Sequence, residues 1–368
     1  MFPFVVKFLY QNIFKQIAFL QDPEDVHDRI SYFGEFLGRF GCTKWITKKL
    51  LSYENKQLEQ TIAGICFKNP IGLSAGFDKN AQLTQILPSV GFGFEEAGSI
   101  TGEPCPGNPK PRLWRLKKSK SLLVYYGLKN DGCEVISEQL KNEKFEIPLG
   151  ISIAKTNSPF TVKEEDGIAD YVKVYKTFAE KNIGSYFTIN ISCPNAFGGE
   201  PFTDPEKLDR LLFAIRTIPN SKPVFLKMPA EISFEIVDTI IELARKYKIT
   251  GFVSTNLAKD RKNPQVFDTN VPTTGGMSGK VVQKLSDEQI AYIYKKTKGE
   301  FIIMGVGGVF SAEDAYKKIR LGASLVQLIT GMIYEGPQLI GDINRGLVKL
   351  LERDGFKNIS EAIGVDNK

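Results

Sequence analysis

Histidine is almost absent: His27 is the single one in 368 residues. That excludes a serine–histidine triad elsewhere in the chain, and any metal site built on several histidines. Five cysteines, at 42, 66, 105, 133 and 193, show no C-x-x-C spacing and are odd in number. Reduced thiols in a reducing compartment are the expectation. There is no block of basic charge. Net charge is +6 with Lys and Arg spread along the chain, which suits small anions or an anionic membrane and gives no reason to expect nucleic acid. No run of apolar residues is long enough to span a bilayer, which takes about 20. The opening MFPFVVKFLYQNIFKQIAFL is broken by Lys7 and Lys15 and has no small-residue cleavage site, so it does not read as a secretory signal.

What is present is a globular composition, 42% hydrophobic and 24% charged, with material for a large core. Residues 4–20 predict a helix with Val5, Leu9, Ile13, Ile17 and Leu20 on one face, widened by Phe4, Phe8, Tyr10, Phe14 and Phe19. A second helix starts at Pro23 with Asp22 as N-cap and carries Val26, Ile30, Phe33 and Leu37 at helical spacing. Two placements are open for these helices. They can dock on the main domain as core, or dip into a bilayer surface with Lys7, Lys15 and Arg29 near the headgroups. Their aromatic content favours the second.

From residue 60 short apolar strands alternate with helices. Eight strands are expected: Ile71–Ala75, Phe94–Ser99, Pro148–Ile153, Tyr186–Ile191, Val224–Met228, Gly251–Thr255, Phe301–Val306 and Ser324–Ile329. Helices fit at Gly167–Lys181, Pro205–Arg216, Ser233–Lys246, Val281–Lys296 and Ala312–Leu321. This α/β alternation predicts a (β/α)8 TIM barrel with a small N-terminal helical extension, a doubly wound open sheet being the alternative. The domain reading is 1–50 for the helical segment and 51–368 for the barrel. A barrel demands functional groups at the C-terminal ends of its strands. Those ends carry Gly76 to Asn80, Ser99, Ser152 with Lys155, Asn190 onward, Lys227, Thr255 with Asn256, GVGG at 305–308, and Thr330 with Gly331. Two insertions stand out: a Pro/Gly-rich excursion over 101–132 that suits a lid, and the glycine-rich loop TTGGMSG at 273–279.

The densest polar cluster is Tyr186 to Gly199, YFTINISCPNAFGG. A strand there runs into a turn rich in Pro194, Asn195, Gly198 and Gly199, with Asn190, Ser192 and Cys193 between. Loops 273–279 and 305–308 offer backbone N–H groups for a phosphate, and neither is a G-x-G-x-x-G. Lys227 at the barrel mouth reads either as a Schiff-base lysine or as a fixed charge beside something that becomes anionic. Lys79 and Lys155 add further positive charge. With no histidine to pair with it, Cys193 reads better as a general base than as an acylating nucleophile.

The motifs NPIGLSAGFDK (69–79), GNPKPRLWRL (107–116), NISCPN (190–195), STN (254–256), TGGMSG (274–279), GVGG (305–308) and ASLVQL (323–328) together resemble the dihydroorotate dehydrogenase family. That resemblance implies an FMN-binding (β/α)8 barrel that oxidises dihydroorotate to orotate in pyrimidine synthesis. It implies FMN contacts at Ala75, Gly76, Lys79, Ser99, Ser152, Asn190, Lys227, Thr255, Gly279, Gly308, Ile329 and Thr330, and no metal. Lys227 would stabilise negative charge on the reduced flavin. Cys193 would take a proton from C5 while a hydride passes from C6 to flavin N5. The substrate would meet Lys79, Gly127, Leu128, Asn190, Asn195 and Asn256.

The N-terminal PEDVHDRI (23–30) and GNPKPRLWRL resemble the quinone-using, membrane-associated class, with the N-terminal helices forming a quinone tunnel at the cytoplasmic face of the cell membrane. The chain departs from that class in three places. Cys193 stands where serine is usual, as in the soluble classes. Val124 stands where the lid usually presents an asparagine, with Tyr125 in place of an arginine. Ile329 replaces a tyrosine. Tyr125 or Tyr126 could supply the missing polar contact. Two other readings stay open: the same flavin barrel acting on another dihydropyrimidine-like ring, and a flavin-free lyase using Lys227 as a Schiff base. A non-catalytic membrane-binding protein is disfavoured by the polar cluster at the strand ends.

Overall fold

The computed structural model describes residues 2–193, 195, 197, 199 and 201–367. All eight expected strands form, as Ile71–Leu73, Phe94–Ile100, Leu149–Ile153, Tyr186–Asn190, Val224–Lys227, Gly251–Ser254, Ile302–Val306 and Leu325–Leu328. Each pairs in parallel with the next, and the eighth closes on the first, Val326 opposite Ile71 and Leu328 opposite Leu73. The sheet is therefore a closed barrel and not the open alternative. Several strands end a residue or two early because residues such as Ala75, Thr255 and Ile329 leave the ladder for the mouth.

Strand alternation then sets what each layer holds. On the fourth strand Tyr186 lies in the floor, Thr188 one layer up, and Asn190 at the mouth. On the fifth, Phe225 lies below Lys227. The floor packs Phe94, Tyr186, Phe225 and Met304 against Phe67, which comes from a hairpin of Gln60–Ile62 and Ile65–Phe67. The first and third strands make room for it: a Cβ on Gly72 would overlap the Phe94 ring, and one on Gly150 the Tyr186 ring. Above the floor sits a buried polar layer. Glu96 Oε2 accepts from Thr188 Oγ1 at 2.9 Å and from Gln327 Nε2 at 3.0 Å.

The outer helices follow their sequence signals. Pro205–Arg216 and Ala312–Leu321 have the expected bounds, capped by Asp204 and Ser311 side chains. Glu164–Glu180, Phe234–Lys246 and Gln283–Thr297 match the other three within a few residues. Helices at Gly41–Leu51, Cys133–Leu140 and Leu339–Asp354 are additional. The first of these gives little signal, having no side-chain N-cap and no fully buried residue.

The N-terminal helix begins at Phe2–Leu9, passes through a π-turn at Tyr10–Phe14 and ends at Lys15–Ala18. It docks through Tyr10, whose hydroxyl donates to the Ile333 carbonyl at 2.7 Å, and Gln11, whose amide donates to the Tyr334 carbonyl at 2.9 Å. The stripe read from the sequence faces the other way. Ile17 is 57% exposed and Leu20 85%, and Val5, Leu9 and Ile13 are also exposed. The core alternative fails for that stripe. The Pro23–Gly38 helix starts as predicted, with Asp22 Oδ1 accepting from the Glu24 and Asp25 N–H groups. No described helix is long and apolar enough to cross a membrane.

The two insertions pack on each other. Within 101–132, Leu113–Leu116 pairs antiparallel with Ser121–Val124, and Gly276–Met277 of the glycine-rich loop adds to that edge.

Candidate active site

The barrel mouth holds two joined spaces. The larger, about 950 Å³, is lined by Ala75, Gly76, Lys79, Ser99, Gly127, Leu128, Asn190, Cys193, Asn195, Lys227 and Asn256. The smaller, about 500 Å³, is lined by Thr255, Gly279 and Gly308. Ile329, Thr330, Ala75, Lys227 and Asn256 border both. One expected residue does not reach either space. Ser152 is fully buried behind Ser99, their hydroxyls 2.7 Å apart, while the Asn190 amide donates to Ser99 Oγ at 2.9 Å. It can act on a bound group only through Ser99.

The charge in these spaces is of one sign. Lys79, Lys129 and Lys227 line them, and no Asp or Glu among the described residues does. Lys227, 5% exposed, stands beside Asn190 across the fourth and fifth strands. No described protein acceptor binds its Nζ. Burial pushes its ammonium pKa down, against the pull of Glu96 below and Cys193 beside it. Lys79 Nζ lies 4.1 Å from the centre of the Tyr126 ring and 3.5 Å from His27 Nε2. Burial brings it down to about 8.

At the smaller space the backbone itself approaches closely. Gly279 has φ +70°, and a Cβ there would overlap the Lys120 carbonyl and lie 2.9 Å from Thr330 Cγ2. Ser278 and Thr330 hydroxyls are 2.7 Å apart on the same wall. The result is a wall of N–H and O–H donors with one ammonium and no carboxylate.

Cys193 is half-buried three residues past the fourth strand; Pro194 and Gly198 of the predicted turn lie outside the described residues. The three asparagines also act as struts. Asn195 Nδ2 donates to the Val124 carbonyl at 2.9 Å, tying the cysteine loop to the lid. Asn256 Nδ2 donates to the Ser192 carbonyl at 2.8 Å and to its hydroxyl at 2.9 Å. Asn190 Oδ1 accepts from the Ser192 N–H and hydroxyl. Val124 lines the larger space, and Tyr125 does not. Tyr126 does, with a buried hydroxyl that has no described partner. Lys155 is not in the mouth. It is buried behind Cys193, its Nζ donating to the Phe197 carbonyl at 2.6 Å.

Sequence reasoning gave His27 no role beyond an exclusion, yet it borders the larger space, its Nε2 2.9 Å from the Phe77 carbonyl. No local pattern brings together residues fifty apart. A third space, about 1510 Å³ and overwhelmingly apolar, runs under the N-terminal helices past Phe14, Ala18, Val26, Ile30 and Met332. His27, Phe77, Leu113, Leu122 and Ile333 line both it and the larger space. Among the described residues no cluster of His, Cys, Asp or Glu could hold a metal ion.

A sequence model of the family described as dihydroorotate dehydrogenase matches residues 57–351. The chain belongs to the dihydroorotate dehydrogenase family. Curated relatives named dihydroorotate dehydrogenase (quinone) include one from Trichodesmium erythraeum, 35% identical over 98% of this chain and 99% of the relative. Another, from Nostoc sp., is 38% identical over 94% of this chain and 95% of its own length. The solved dihydroorotate dehydrogenase of Eimeria tenella in complex with ferulenol superposes with TM-score 0.83 at 29% identity, over 94% of this chain and 96% of that one. That structure and this one share the closed parallel barrel of the dihydroorotate dehydrogenase family.

Proposed function

We propose that this protein is an FMN-dependent oxidoreductase that converts (S)-dihydroorotate to orotate in de novo pyrimidine (UMP) biosynthesis and delivers the electrons to a quinone. The observation that carries this reading is the common wall of His27, Phe77, Leu113, Leu122 and Ile333 between a cationic polar cleft and an apolar passage. A polar anion and an apolar acceptor need two such spaces on either side of one redox group.

The residues fit FMN. The donor wall of Gly279, Gly308, Ser278 and Thr330, free of carboxylates, suits a phosphate. The buried Lys227 ammonium at the mouth suits a ring that becomes anionic. Ala75, Gly76, Ser99, Asn190 and Thr255 would hold the rest, with Ser152 supporting Ser99. Bound FMN supplies the two-electron relay between pyrimidine and quinone. Lys79 binds the substrate carboxylate, and Asn190, Asn195 and Asn256 orient the ring with Gly127 and Leu128. Cys193 Sγ takes the proton from C5. The lid strands over the cleft exclude water from that transfer.

The apolar outer face, with Phe4 75%, Leu20 85% and Trp45 62% exposed, supports peripheral attachment to a membrane, which we assign to the cytoplasmic face of the cell membrane.

Anaerobic titration of the purified holoprotein with dihydroorotate tests the reading: the flavin band should bleach, and added quinone should restore it. Cys193→Ala should keep bound flavin and slow its reduction by about 100-fold or more, the usual worth of a general base. A yellow protein that dithionite reduces and dihydroorotate does not would favour another dihydropyrimidine-like ring, the reading that Val124 in the cleft motivates. A colourless protein trapped by borohydride on a carbonyl substrate would favour the Lys227 lyase.

A further inference from the structure

Beside the cleft, and sharing Leu128, Asn190 and Cys193 with it, lies a further small cavity. Cys193, Lys155, Tyr171 and Asn190 are among its walls. Lys155 comes from the loop after the third strand and is 4% exposed. Its Nζ donates to the Phe197 carbonyl, 2.6 Å away and four residues beyond Cys193. A buried ammonium whose one acceptor among the described residues is a neutral carbonyl has capacity left for an anion.

Among the described residues, the carboxylate that acts on Lys155 is Asp170, and it is already committed. Asp170 accepts from the Thr156 N–H at 2.6 Å, from the Thr156 hydroxyl at 3.0 Å and from the Gly102 N–H at 3.2 Å. Tyr171 does not compete as an anion, since burial pushes its phenol far up and its hydroxyl donates to the Asn190 carbonyl at 2.7 Å. Among the described residues, the group that remains to balance Lys155 in this cavity is the Cys193 thiol.

We propose that Lys155 is a positioning residue for the proton transfer: it pins the cysteine loop through Phe197 and stabilises the Cys193 thiolate from behind. The inference rests on Cys193 being the base. A thiol has an ordinary pKa of about 8.5 and is mostly protonated near neutral pH, and adjacent lysines lower that value. Serine in this position has no such need, because its hydroxyl cannot be brought near neutrality by one cation. The cleft that Cys193 also lines is cationic, with Lys227, Lys79 and Lys129 on its walls; burial disfavours charge on His27 and Tyr126, which line it too. The burial that lowers Lys155 is opposed first by charge on Cys193 and then by Asp170.

The balance is simple. The Cys193 thiolate accepts the C5 proton and becomes a thiol, and Lys155 keeps its own protons throughout.

The test is the pH dependence of Cys193 alkylation by iodoacetamide in the FMN-loaded full chain, read at its peptide by mass spectrometry so that exposed Cys42 and Cys66 do not interfere. Lys155→Gln removes the charge and keeps a donor for the loop; Lys155→Arg keeps the charge. The Gln variant should raise the alkylation midpoint by about one pH unit or more, the usual effect of losing a close opposite charge. The Arg variant should stay near the parent. The acid limb of flavin reduction by dihydroorotate should move with the midpoint. An unchanged midpoint in a Gln variant that still binds flavin overturns the proposal. If that variant does not fold, an Arg variant with a raised midpoint overturns it, since retained charge should retain the thiolate. A shifted midpoint with a fixed acid limb upholds the pairing and overturns Cys193 as the base.

Discussion

Glu24, at the start of the second N-terminal helix, and Arg112, in the lid, form a buried two-point ion pair: Nε to Oε2 at 2.9 Å and Nη2 to Oε1 at 2.8 Å. Both side chains are almost fully buried, and Lys129 reaches the same carboxylate at 3.3 Å. Arg112 Nη1 also donates to the Pro106 and Asn108 carbonyls at 2.7 Å. One arginine thus joins the helices that cover the apolar passage to the loop that covers the polar cleft.

Removing the carboxylate leaves that arginine buried without its counter-charge. Glu24→Gln should cost about 3 kcal/mol, the usual penalty for breaking one side of a buried pair, read as a lower urea midpoint. Burial alone would raise the Glu24 carboxyl, but the hydrogen bonds and charges of Arg112 and Lys129 outweigh it and hold it below its ordinary 4.5. Its contribution is therefore full above that value and is lost as pH falls through the lower folded one. An unchanged midpoint at neutral pH would show that the pair is not holding the helix.

Filling the passage should separate the two half-reactions. Ala18 is buried on its wall. Ala18→Trp should raise KM for the quinone by about tenfold or more, by overfilling the space, and leave flavin reduction by dihydroorotate within about twofold. Stopped-flow reduction and steady-state quinone turnover read the two separately. Equal losses in both would mean that the passage does not serve the acceptor.

Val124→Asn should restore a polar contact to the ring. Its backbone is fixed opposite Leu113 and Gly276, so the side chain can change without disturbing the ladder. A regained hydrogen bond of about 1–2 kcal/mol would lower KM for dihydroorotate by roughly five- to thirtyfold. No change, or a rise, would point to the hydroxyl of Tyr126, which has no partner among the described residues, and Tyr126→Phe should then raise KM instead.

Lys79 predicts a pH effect on binding. Its ammonium is ionised below about 8 and neutral above, because burial disfavours the charge. Attraction for a carboxylate is full on the acid side and fades as pH rises through that value. KM for dihydroorotate should climb above pH 8, while Lys79→Met should show a high KM with little slope between pH 7 and 9. A flat parent profile would remove Lys79 from carboxylate binding.

The barrel was legible because several strands are short runs that start apolar and end inward on a polar residue: Phe225 then Lys227, Tyr186 then Thr188 and Asn190. Period-two alternation converts that order directly into floor, layer and mouth. Contacts between distant segments left no such mark. Gly276–Met277 reads as loop until the lid strand ending at Val124 gives it a partner. His27 meets Phe77 only after the helix is docked. The amphipathic pattern over residues 4–20 shows that a helix has an apolar face, and it is silent on whether that face meets protein or lipid. Lys155 shows the limit at the site itself. A strand end points a side chain toward the mouth in general, and the turn that follows decides whether it arrives in front of Cys193 or behind it.

The wall shared by His27, Phe77, Leu113, Leu122 and Ile333 has a kinetic corollary. On the proposed function it would give the two reactants separate doors, so neither would need to leave before the other arrives. Double-reciprocal plots at varied quinone should run as parallel lines, the signature of an enzyme that alternates between two stable forms. A compound lodged in the apolar passage would compete with the quinone alone and leave the pyrimidine's access unobstructed.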